Sequence, residues 1–350
     1  MTQLEISFNS SKYKIFINRD WKTVGELIGD RQAVILTDIN IDNLYGDDFP
    51  DYPVITIGTG EAVKEIETVE TIIKHLVTIG ADRSTFLLAI GGGLVCDIGG
   101  FVASVFHRGI DFGFISTSLL SQVDASIGGK NGVNIYGIKN IIGCFNHPSF
   151  VICDQNMFST LSDEEYISGL GEVLKHALVR DAQMFDFIEE NILAINNRDI
   201  AVVSQLVERS IRIKSSVVEA DGREKGLRRI LNFGHTFGHA IEAGGGLKHG
   251  YAVAHGMLIA SEISLSEKLI TENELLRIRK LLSDLKLISS LRIEKELIEE
   301  FIRADKKREG AGIHFILLEG LGLTTERVWP VDKVMEYIPE KGLVYEGRDS

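Results

Sequence analysis

The feature that most constrains the fold is an alternation of short apolar runs with helical stretches before about residue 160. Residues 61–80 carry apolar side chains at helical spacing and predict an amphipathic helix. Strands that alternate with helices are typical of a mostly parallel sheet covered by helices. Apolar runs rich in β-branched and aromatic residues predict the buried strands, at 33–37, 53–57, 86–90, 112–116 and 150–154.

The pattern changes after residue 160 to long helical periods with few β runs. Ser162 is a suitable N-cap for a predicted helix, and residues 264–304 predict surface helices with solvated charges. The sequence therefore predicts an α/β domain over residues 1–160 and a mainly α-helical domain over residues 161–350.

Charge and hydropathy limit the classes of partner. The 350 residues include 37 Lys and Arg against 50 Asp and Glu, a formal net charge of −13. This balance argues against nucleic acid and anionic membranes, which reward clustered positive charge. The chain has no apolar run of about 18 residues, which predicts no membrane span. Its first residues lack the pattern of a signal peptide, which predicts a cytoplasmic location.

A glycine-rich turn is the first motif that suggests chemistry. In FLLAIGGGLVCDIGGF (86–101) a predicted strand leads into Gly91, Gly92 and Gly93, and a helix follows from about Asp97. Glycines let the backbone approach a pyrophosphate, whose charge is favoured by a helix N-terminus. The motif is not the G-x-G-x-x-G fingerprint, so a tight turn without a ligand is the alternative.

A histidine-rich segment, residues 231–257, is the second motif. On a helix, His235, His239 and Glu242 lie at i, i+4 and i+7 and share a face. Imidazole and carboxylate groups suit a divalent metal such as zinc, so this spacing predicts a metal site. A structural role for single histidines is the alternative. Four of the nine histidines fall in the segment: His235, His239, His249 and His255.

Two further segments concentrate cations beside polar residues. Lysines on glycine-rich loops or helix faces present point charges to phosphate or carboxylate groups. Exposed loops and ordinary salt-bridged helices are the alternatives. The residues concerned are Asp124, Lys130, Lys139 and Asn140, and, on predicted helices, Glu172, Lys175, His176, Lys214, Arg228 and Asn232.

The chain carries a series of short motifs: GGG…D, RG, QVD…GGK, KN, GEVLK and GLR…LNFGHTFGHAIE…HG. In their order and spacing, these motifs together resemble the 3-dehydroquinate synthases, within the sugar phosphate cyclase family. The match is dense from about Gly60 to Met257 and returns at residues 305–307. The resemblance implies an α/β fold: a Rossmann-like NAD-binding domain followed by a mainly α-helical metal-binding domain. It also implies NAD and a divalent metal, Zn²⁺ or Co²⁺, as cofactors, and a homodimer.

The resemblance also assigns residues. Its metal ligands are Glu172, His235 and His249, which differs from the set that spacing favoured, and His239 instead contacts substrate. Substrate positions fall on Asp124, Lys130, Asn140, Lys175, Lys214, Arg228, Asn232 and His239, with Arg108 reaching the phosphate and one of Lys306 and Lys307 entering the site. Cofactor positions fall on Asp38, Asn40, Glu61, Lys64, Gly91, Gly92, Gly93, Asp97, Thr117, Ser118, Lys130, Lys139 and Thr160.

The implied activity converts 3-deoxy-D-arabino-heptulosonate 7-phosphate to 3-dehydroquinate and phosphate, a step of the shikimate pathway towards aromatic amino acids. A sugar phosphate with a carboxylate explains why an acidic protein gathers so many cations. Tyr251 and His255 depart from the commonest family pattern, so another sugar phosphate cyclase stays an alternative. A metal-dependent polyol dehydrogenase is the rival from another class, but its substrates need no such set of cations.

Overall fold

This computed structural model describes residues 1–8, 11–222, 224–306 and 312–345. The chain forms two compact units, one made of Met1–Ser162 with Val203–Glu219 and the other of Asp163–Val202 with Ala220–Ser350. The predicted boundary after residue 160 lies near the first break. It missed the return of residues 203–219 to the first unit, because helical periodicity does not show which core a helix joins.

The first unit contains nine strands and four helices before residue 163, within its described residues. The helix predicted for residues 61–80 begins only at Ile66, since residues 61–63 form a 3₁₀ turn and Glu65 is extended. The elements are β1 (Thr2–Phe8), β2 (Ser11–Ile17), α1 (Gly25–Ile28), β3 (Ala33–Asp38), α2 (Ile39–Tyr45), β4 (Val54–Ile57), α3 (Ile66–Thr78), β5 (Phe86–Gly91), α4 (Gly93–Val105), β6 (Phe112–Ser116), β7 (Lys130–Ile135), β8 (Ile138–Phe145) and β9 (Phe150–Cys153).

A seven-stranded sheet forms the core of this unit, in the order β1-β2-β9-β6-β5-β3-β4. All neighbours are parallel except the edge pair β1 and β2, which is antiparallel. The five predicted strands are all present, as β3, β4, β5, β6 and β9. The interior strand β5 is buried at every residue, as expected where helices cover both faces of a parallel sheet.

The second unit is mainly helical, as predicted. Its helix over His249–Ser266 is buried at most positions, which is typical of a helix surrounded by other elements. Two antiparallel strand pairs were not predicted, Ile313–Gly320 with Leu323–Trp329 and Leu291–Ile293 with Leu343–Tyr345. The elements that follow residue 162 are α5 (Asp163–Arg180), α6 (Ala182–Glu190), α7 (Ile192–Asn196), α8 (Ile200–Ala220), α9 (His235–Gly245), α10 (His249–Ser266), α11 (Glu272–Asp284), β10 (Leu291–Ile293), α12 (Lys295–Lys306), β11 (Ile313–Gly320), β12 (Leu323–Trp329), α13 (Val331–Met335) and β13 (Leu343–Tyr345). Among the described residues, no helix combines the length and apolarity needed to cross a membrane.

Candidate active site

Three side chains of the second unit converge on one point. Glu172 lies in α5, whereas His235 and His249 are the first residues of α9 and α10. Oε1 of Glu172 lies 3.8 Å from Nε2 of His235 and 3.4 Å from Nε2 of His249. One ligand atom from each residue lies within 4.8 Å of the other two. A carboxylate and two imidazoles at this separation form a set of three ligands that can hold a divalent metal.

Close backbone contacts at glycines bring these three residues together. A Cβ on Gly250 would lie 1.9 Å from the carbonyl oxygen of Ser168, so α10 and α5 approach closely beside His249. A Cβ on Gly256 would lie 2.0 Å from the carbonyl oxygen of Gly234. Gly234 itself has φ of 80°, a left-handed conformation that glycine adopts without strain, and it immediately precedes His235.

Neighbouring groups orient all three candidate ligands. The ammonium of Lys175 forms an ion pair with Oε2 of Glu172, which leaves Oε1 facing the two histidines. Nδ1 of His249 lies 3.0 Å from Oε2 of Glu242, and Nδ1 of His235 lies 3.3 Å from the carbonyl oxygen of Phe233. Histidines that ligate metals usually donate their other ring N–H to such an acceptor.

The electrostatics of this cluster favour an ionised carboxylate. Burial raises the pKa of Glu172, but Lys175 and the two histidines outweigh it and hold that pKa well below its usual range. Burial, together with the charge of Lys175, lowers the pKa of His235 well below its ordinary value. Burial also lowers the pKa of His249, but Glu172 and Glu242 outweigh it and raise that pKa to about 10. Neither oxygen of Glu172 accepts a hydrogen bond of good geometry, although both are buried.

The structure differs from the set that helical spacing favoured. His235, His239 and Glu242 do lie along α9, but Glu242 contacts the Nδ1 side of His249, away from Glu172. The ring of His239 lies 5.2 Å from that of His235 and 6.4 Å from that of His249. Helical periodicity showed the shared face, but it could not include ligands from α5 and α10.

A 3₁₀ turn over Leu227–Asn232 carries two more of the predicted residues. The buried guanidinium of Arg228 donates to the carbonyl oxygen of Gly222 at 2.9 Å, and the Asn232 amide donates to Glu224 at 2.6 Å. The side chain between them in sequence, that of Arg229, lies 3.1 Å from Glu326 of β12. This last ion pair was not predicted, because its partners are far apart in the sequence.

In the first unit, several of the predicted cofactor positions lie at the carboxyl ends of neighbouring parallel strands. Asp38 ends β3 and accepts hydrogen bonds from the backbone N–H groups of Asn40 and Ile41 at 2.9 and 3.1 Å. Gly91 ends the adjacent strand β5. The chain passes from β3 outwards to β4 and then returns to β5 on the other side, so the strand order reverses here. In open α/β sheets, ligands bind outside the strand ends at such a switch point.

The glycine turn allows helix α4 to begin very close to the end of strand β5. A Cβ on Gly91 would lie 2.5 Å from the side chain of Val95, so only glycine allows α4 to begin so near β5. Gly92 is the N-cap of α4, and Gly93 is its first residue. Backbone N–H groups at the start of a helix after a tight glycine turn are a suitable anion cradle.

A hydrogen-bond network links further predicted residues of this unit. Nζ of Lys64 donates to Asp97 and to the side-chain oxygen of Asn140, each at 2.6 Å. The amide of Asn134 donates to Glu61 at 2.8 Å, and its side-chain oxygen accepts from the backbone of Asn140 at 2.8 Å. Burial raises the pKa of Asp97 to about 6 against the opposing charge of Lys64. Asn134 was not predicted, and only its closeness in the sequence to Lys139 and Asn140 could have suggested it.

Lys214 of α8 contacts Asp124 within the first unit, at 2.5 Å to the carboxylate. Thr117 and Ser118 follow β6, and the N–H of Thr117 donates to Gly91 at 3.0 Å. Thr160 lies 2.5 Å from the hydroxyl of Tyr45 at the end of α2.

The remaining predicted cations are two lysines on strands β7 and β8, Arg108, and the pair Lys306 and Lys307. Lys130 and Lys139 are exposed in β7 and β8. Arg108 follows the carboxyl end of α4, which is 13 residues or about 20 Å long, so it is separated from the glycine turn of its own unit. The contact of Arg108 with the substrate phosphate stays a prediction. Lys307 and the side chain of Lys306 lie outside the described residues.

Comparisons with known proteins identify the family. Residues 54–168 match the family model for the N-terminal part of 3-dehydroquinate synthase, and residues 169–308 match the one for its C-terminal part. The 3-dehydroquinate synthase of Acetivibrio thermocellus is 42% identical over 254 residues, 69% of this chain and 71% of the relative. That of Dictyoglomus thermophilum is 42% identical over 253 residues, 71% of each.

Solved structures extend the same likeness to the fold. A 2-deoxy-scyllo-inosose synthase complexed with carbaglucose-6-phosphate, NAD⁺ and Co²⁺ is 26% identical, with a TM-score of 0.88 over 98% of this chain and all of that one (100%). A 2-epi-5-epi-valiolone synthase from Streptomyces hygroscopicus with NAD⁺ and Zn²⁺ bound is 26% identical, with a TM-score of 0.85 over 94% of this chain and 96% of that one. A probable glycerol dehydrogenase from Sinorhizobium meliloti, 15% identical with a TM-score of 0.63 over 95% of this chain and 97% of that one, shares the fold alone.

The likeness to these solved structures thus places the chain with the sugar phosphate cyclases. Within that class, the chain belongs to the 3-dehydroquinate synthase family. The resemblance and the fold class inferred from the sequence are confirmed.

Proposed function

We propose that the chain converts 3-deoxy-D-arabino-heptulosonate 7-phosphate to 3-dehydroquinate and inorganic phosphate, with NAD and a divalent metal, Zn²⁺ or Co²⁺, as cofactors. The observation that carries the proposal is the convergence of Glu172, His235 and His249 in a chain of this family. The carboxylate is buried, ionised and without a well-formed hydrogen bond, which suits a metal ligand better than a structural group.

The two cofactors would be held by different units. Glu172, His235 and His249 would hold the metal in the second unit. The switch point between β3 and β5, with its glycine turn, would hold NAD in the first. When bound, NAD supplies a reversible hydride acceptor and the metal a Lewis acid for substrate hydroxyls. The cofactor residues proposed around the turn are Asp38, Asn40, Glu61, Lys64, Gly91, Gly92, Gly93, Asp97, Thr117, Ser118, Lys130, Lys139 and Thr160.

The side chains of the protein would bind and orient the substrate. Oxidation at C5 acidifies the neighbouring C6 proton, and loss of that proton expels the C7 phosphate; reduction at C5, ring opening and an aldol addition follow. The main task of the protein is therefore to fix two anionic groups against an overall negative charge. The proposed substrate residues are Arg108, Asp124, Lys130, Asn140 and Lys214 in the first unit, and Lys175, Arg228, Asn232 and His239 in the second.

The family resemblance also supports a place in the shikimate pathway, a cytoplasmic location and a homodimer. Each is part of the proposal. Sedimentation of the purified protein measures the assembly directly: the proposal expects about twice the 38.7 kDa chain mass.

Product identification tests the activity against its nearest alternatives. The purified protein is loaded with metal and NAD and given the heptulosonate phosphate, glucose 6-phosphate or sedoheptulose 7-phosphate, and the products are identified by NMR. We expect 3-dehydroquinate from the first substrate and little turnover of the others. An inosose from glucose 6-phosphate, or a valiolone from sedoheptulose 7-phosphate, at a higher rate would assign the chain to a different cyclase.

A further inference from the structure

The ring of His249 lies between two carboxylates of its own unit. Nε2 lies 3.4 Å from Oε1 of Glu172, while Nδ1 lies 3.0 Å from Oε2 of Glu242. Glu242 lies in α9, two turns after His235, and its side chain is only 19% exposed. It is therefore aimed at the ring from the side away from Glu172, where it contacts the histidine without joining the three ligand atoms.

We propose that Glu242 is a positioning residue for the metal: it fixes the His249 tautomer whose Nε2 lone pair faces Glu172. The inference rests on the proposed metal site. A carboxylate only accepts hydrogen bonds, and the Glu242 contact at Nδ1 is shorter than the Glu172 contact at Nε2, so when the ring gives up one proton to bind a metal, the proton that remains is held on Nδ1. The lone pair is then left on Nε2, the nitrogen that faces Glu172 and could bind a divalent metal beside it.

The other histidine of the site makes a useful internal comparison. Nδ1 of His235 lies 3.3 Å from the carbonyl oxygen of Phe233, which is a neutral acceptor. A charged acceptor forms a shorter and stronger hydrogen bond, and the Glu242 contact is the shorter of the two. Glu242 therefore contributes charge as well as orientation to its ligand, and it is the one of these two acceptors that a side-chain substitution can remove.

The test measures metal binding by protein freed of metal, independently of turnover. Wild type, Glu242→Gln and Glu242→Ala are titrated with Co²⁺ in competition with a chelator, and the visible absorption of bound Co²⁺ is recorded. Loss of such an outer contact typically weakens metal binding about 10–100-fold. We expect that rise in the dissociation constant for Glu242→Ala, with an altered Co²⁺ spectrum. Glu242→Gln keeps an acceptor oxygen, so its loss should be smaller.

Two controls separate this inference from the site on which it rests. Glu262→Gln removes a charge from α10 that pairs with Arg279 at 2.7 Å, and it should bind Co²⁺ as wild type does. His249→Ala removes a proposed ligand. If His249→Ala binds as tightly as wild type, the metal site itself is wrong and the inference fails with it.

If His249→Ala loses the metal while both Glu242 variants keep the wild-type dissociation constant and spectrum, only the role of Glu242 is wrong. Circular dichroism of the metal-free proteins verifies folding. Should Glu242→Ala fail to fold, the near-isosteric Glu242→Gln decides the question by the same titration: an unchanged dissociation constant and spectrum overturn the inference.

Discussion

Gly250→Ala tests whether the close approach of α5 and α10 assembles the metal site. The new Cβ would lie 1.9 Å from the carbonyl oxygen of Ser168 and 2.5 Å from its carbonyl carbon. Non-bonded heavy atoms prefer about 3.5 Å, so the helices must separate by roughly 1.5 Å. Overpacking of this kind costs about 1–3 kcal/mol, because backbone atoms cannot rotate away. His249 precedes Gly250, so its 3.4 Å approach to Glu172 widens as well.

The assay combines denaturant unfolding of the metal-free protein with a Co²⁺ titration. We expect the free energy of unfolding to fall by about 1–3 kcal/mol and the metal dissociation constant to rise about tenfold, which corresponds to 1.4 kcal/mol. Gly25→Ala is the matched control, since a Cβ there meets no heavy atom within 4 Å. A Gly250→Ala protein with wild-type stability and metal affinity would show that the close approach of α5 and α10 does not assemble the metal site.

Three further predictions follow from other parts of the structure. His249→Ala should lose metal and activity, whereas His239→Ala should keep its metal and lose turnover. Elemental analysis beside an activity assay distinguishes the two variants, and a full complement of metal in His249→Ala would contradict the ligand assignment. Arg228→Ala should lower kcat/KM by about one to two decades, as expected from removing a charge-assisted hydrogen bond of about 1.5–3 kcal/mol, and Arg228→Lys should rescue poorly; unchanged kinetics in both would exclude a substrate role. Burial lowers the pKa of His255 from 6.5 to about 4, so the folded state takes up its proton later than the unfolded state as pH falls. As the pH falls from 6.5 to 4, the free energy of unfolding should therefore decrease by about 3 kcal/mol on account of His255. Unfolding of His255→Leu, followed across the same pH range, should lack this decrease, and an identical pH dependence in both proteins would contradict the prediction.

The strands of the central sheet could be predicted because a parallel sheet covered by helices needs continuous apolar runs. Strand β5 is the clearest case, since every residue in it is buried and a glycine turn follows. The hairpin of β1 and β2 was missed for the same reason. Its first strand, β1, lies at the edge of the sheet and alternates exposed residues with partly or fully buried ones, so it forms no such run.

The candidate metal ligands show which part of the site helical periodicity can predict and which part depends on tertiary packing. The face shared by His235 and Glu242 follows from helical geometry alone, and both residues do lie in α9. Which side chains converge depends on the crossing of α5 and α10 at Gly250, which no local pattern encodes. Only the family resemblance assigned Glu172 and His249 as metal ligands.

The return of residues 203–219 to the first unit lies beyond sequence reasoning for a related reason. The amphipathic pattern of α8 shows that one face is buried, but it does not show against which core. Lys214 thereby meets Asp124, although about 90 residues separate them in the chain. Long-range pairs of this kind need the packed structure.

The proposed reaction is tested most directly by measuring phosphate release and NADH absorbance in the same experiment. The metal-loaded protein is mixed with excess heptulosonate phosphate and a much lower concentration of NAD. Because the proposed reaction returns its hydride to the same carbon, phosphate release should exceed total NAD many times over, without lasting absorbance of NADH. NADH that accumulates in step with substrate loss, without phosphate release, would contradict the account and indicate a dehydrogenase.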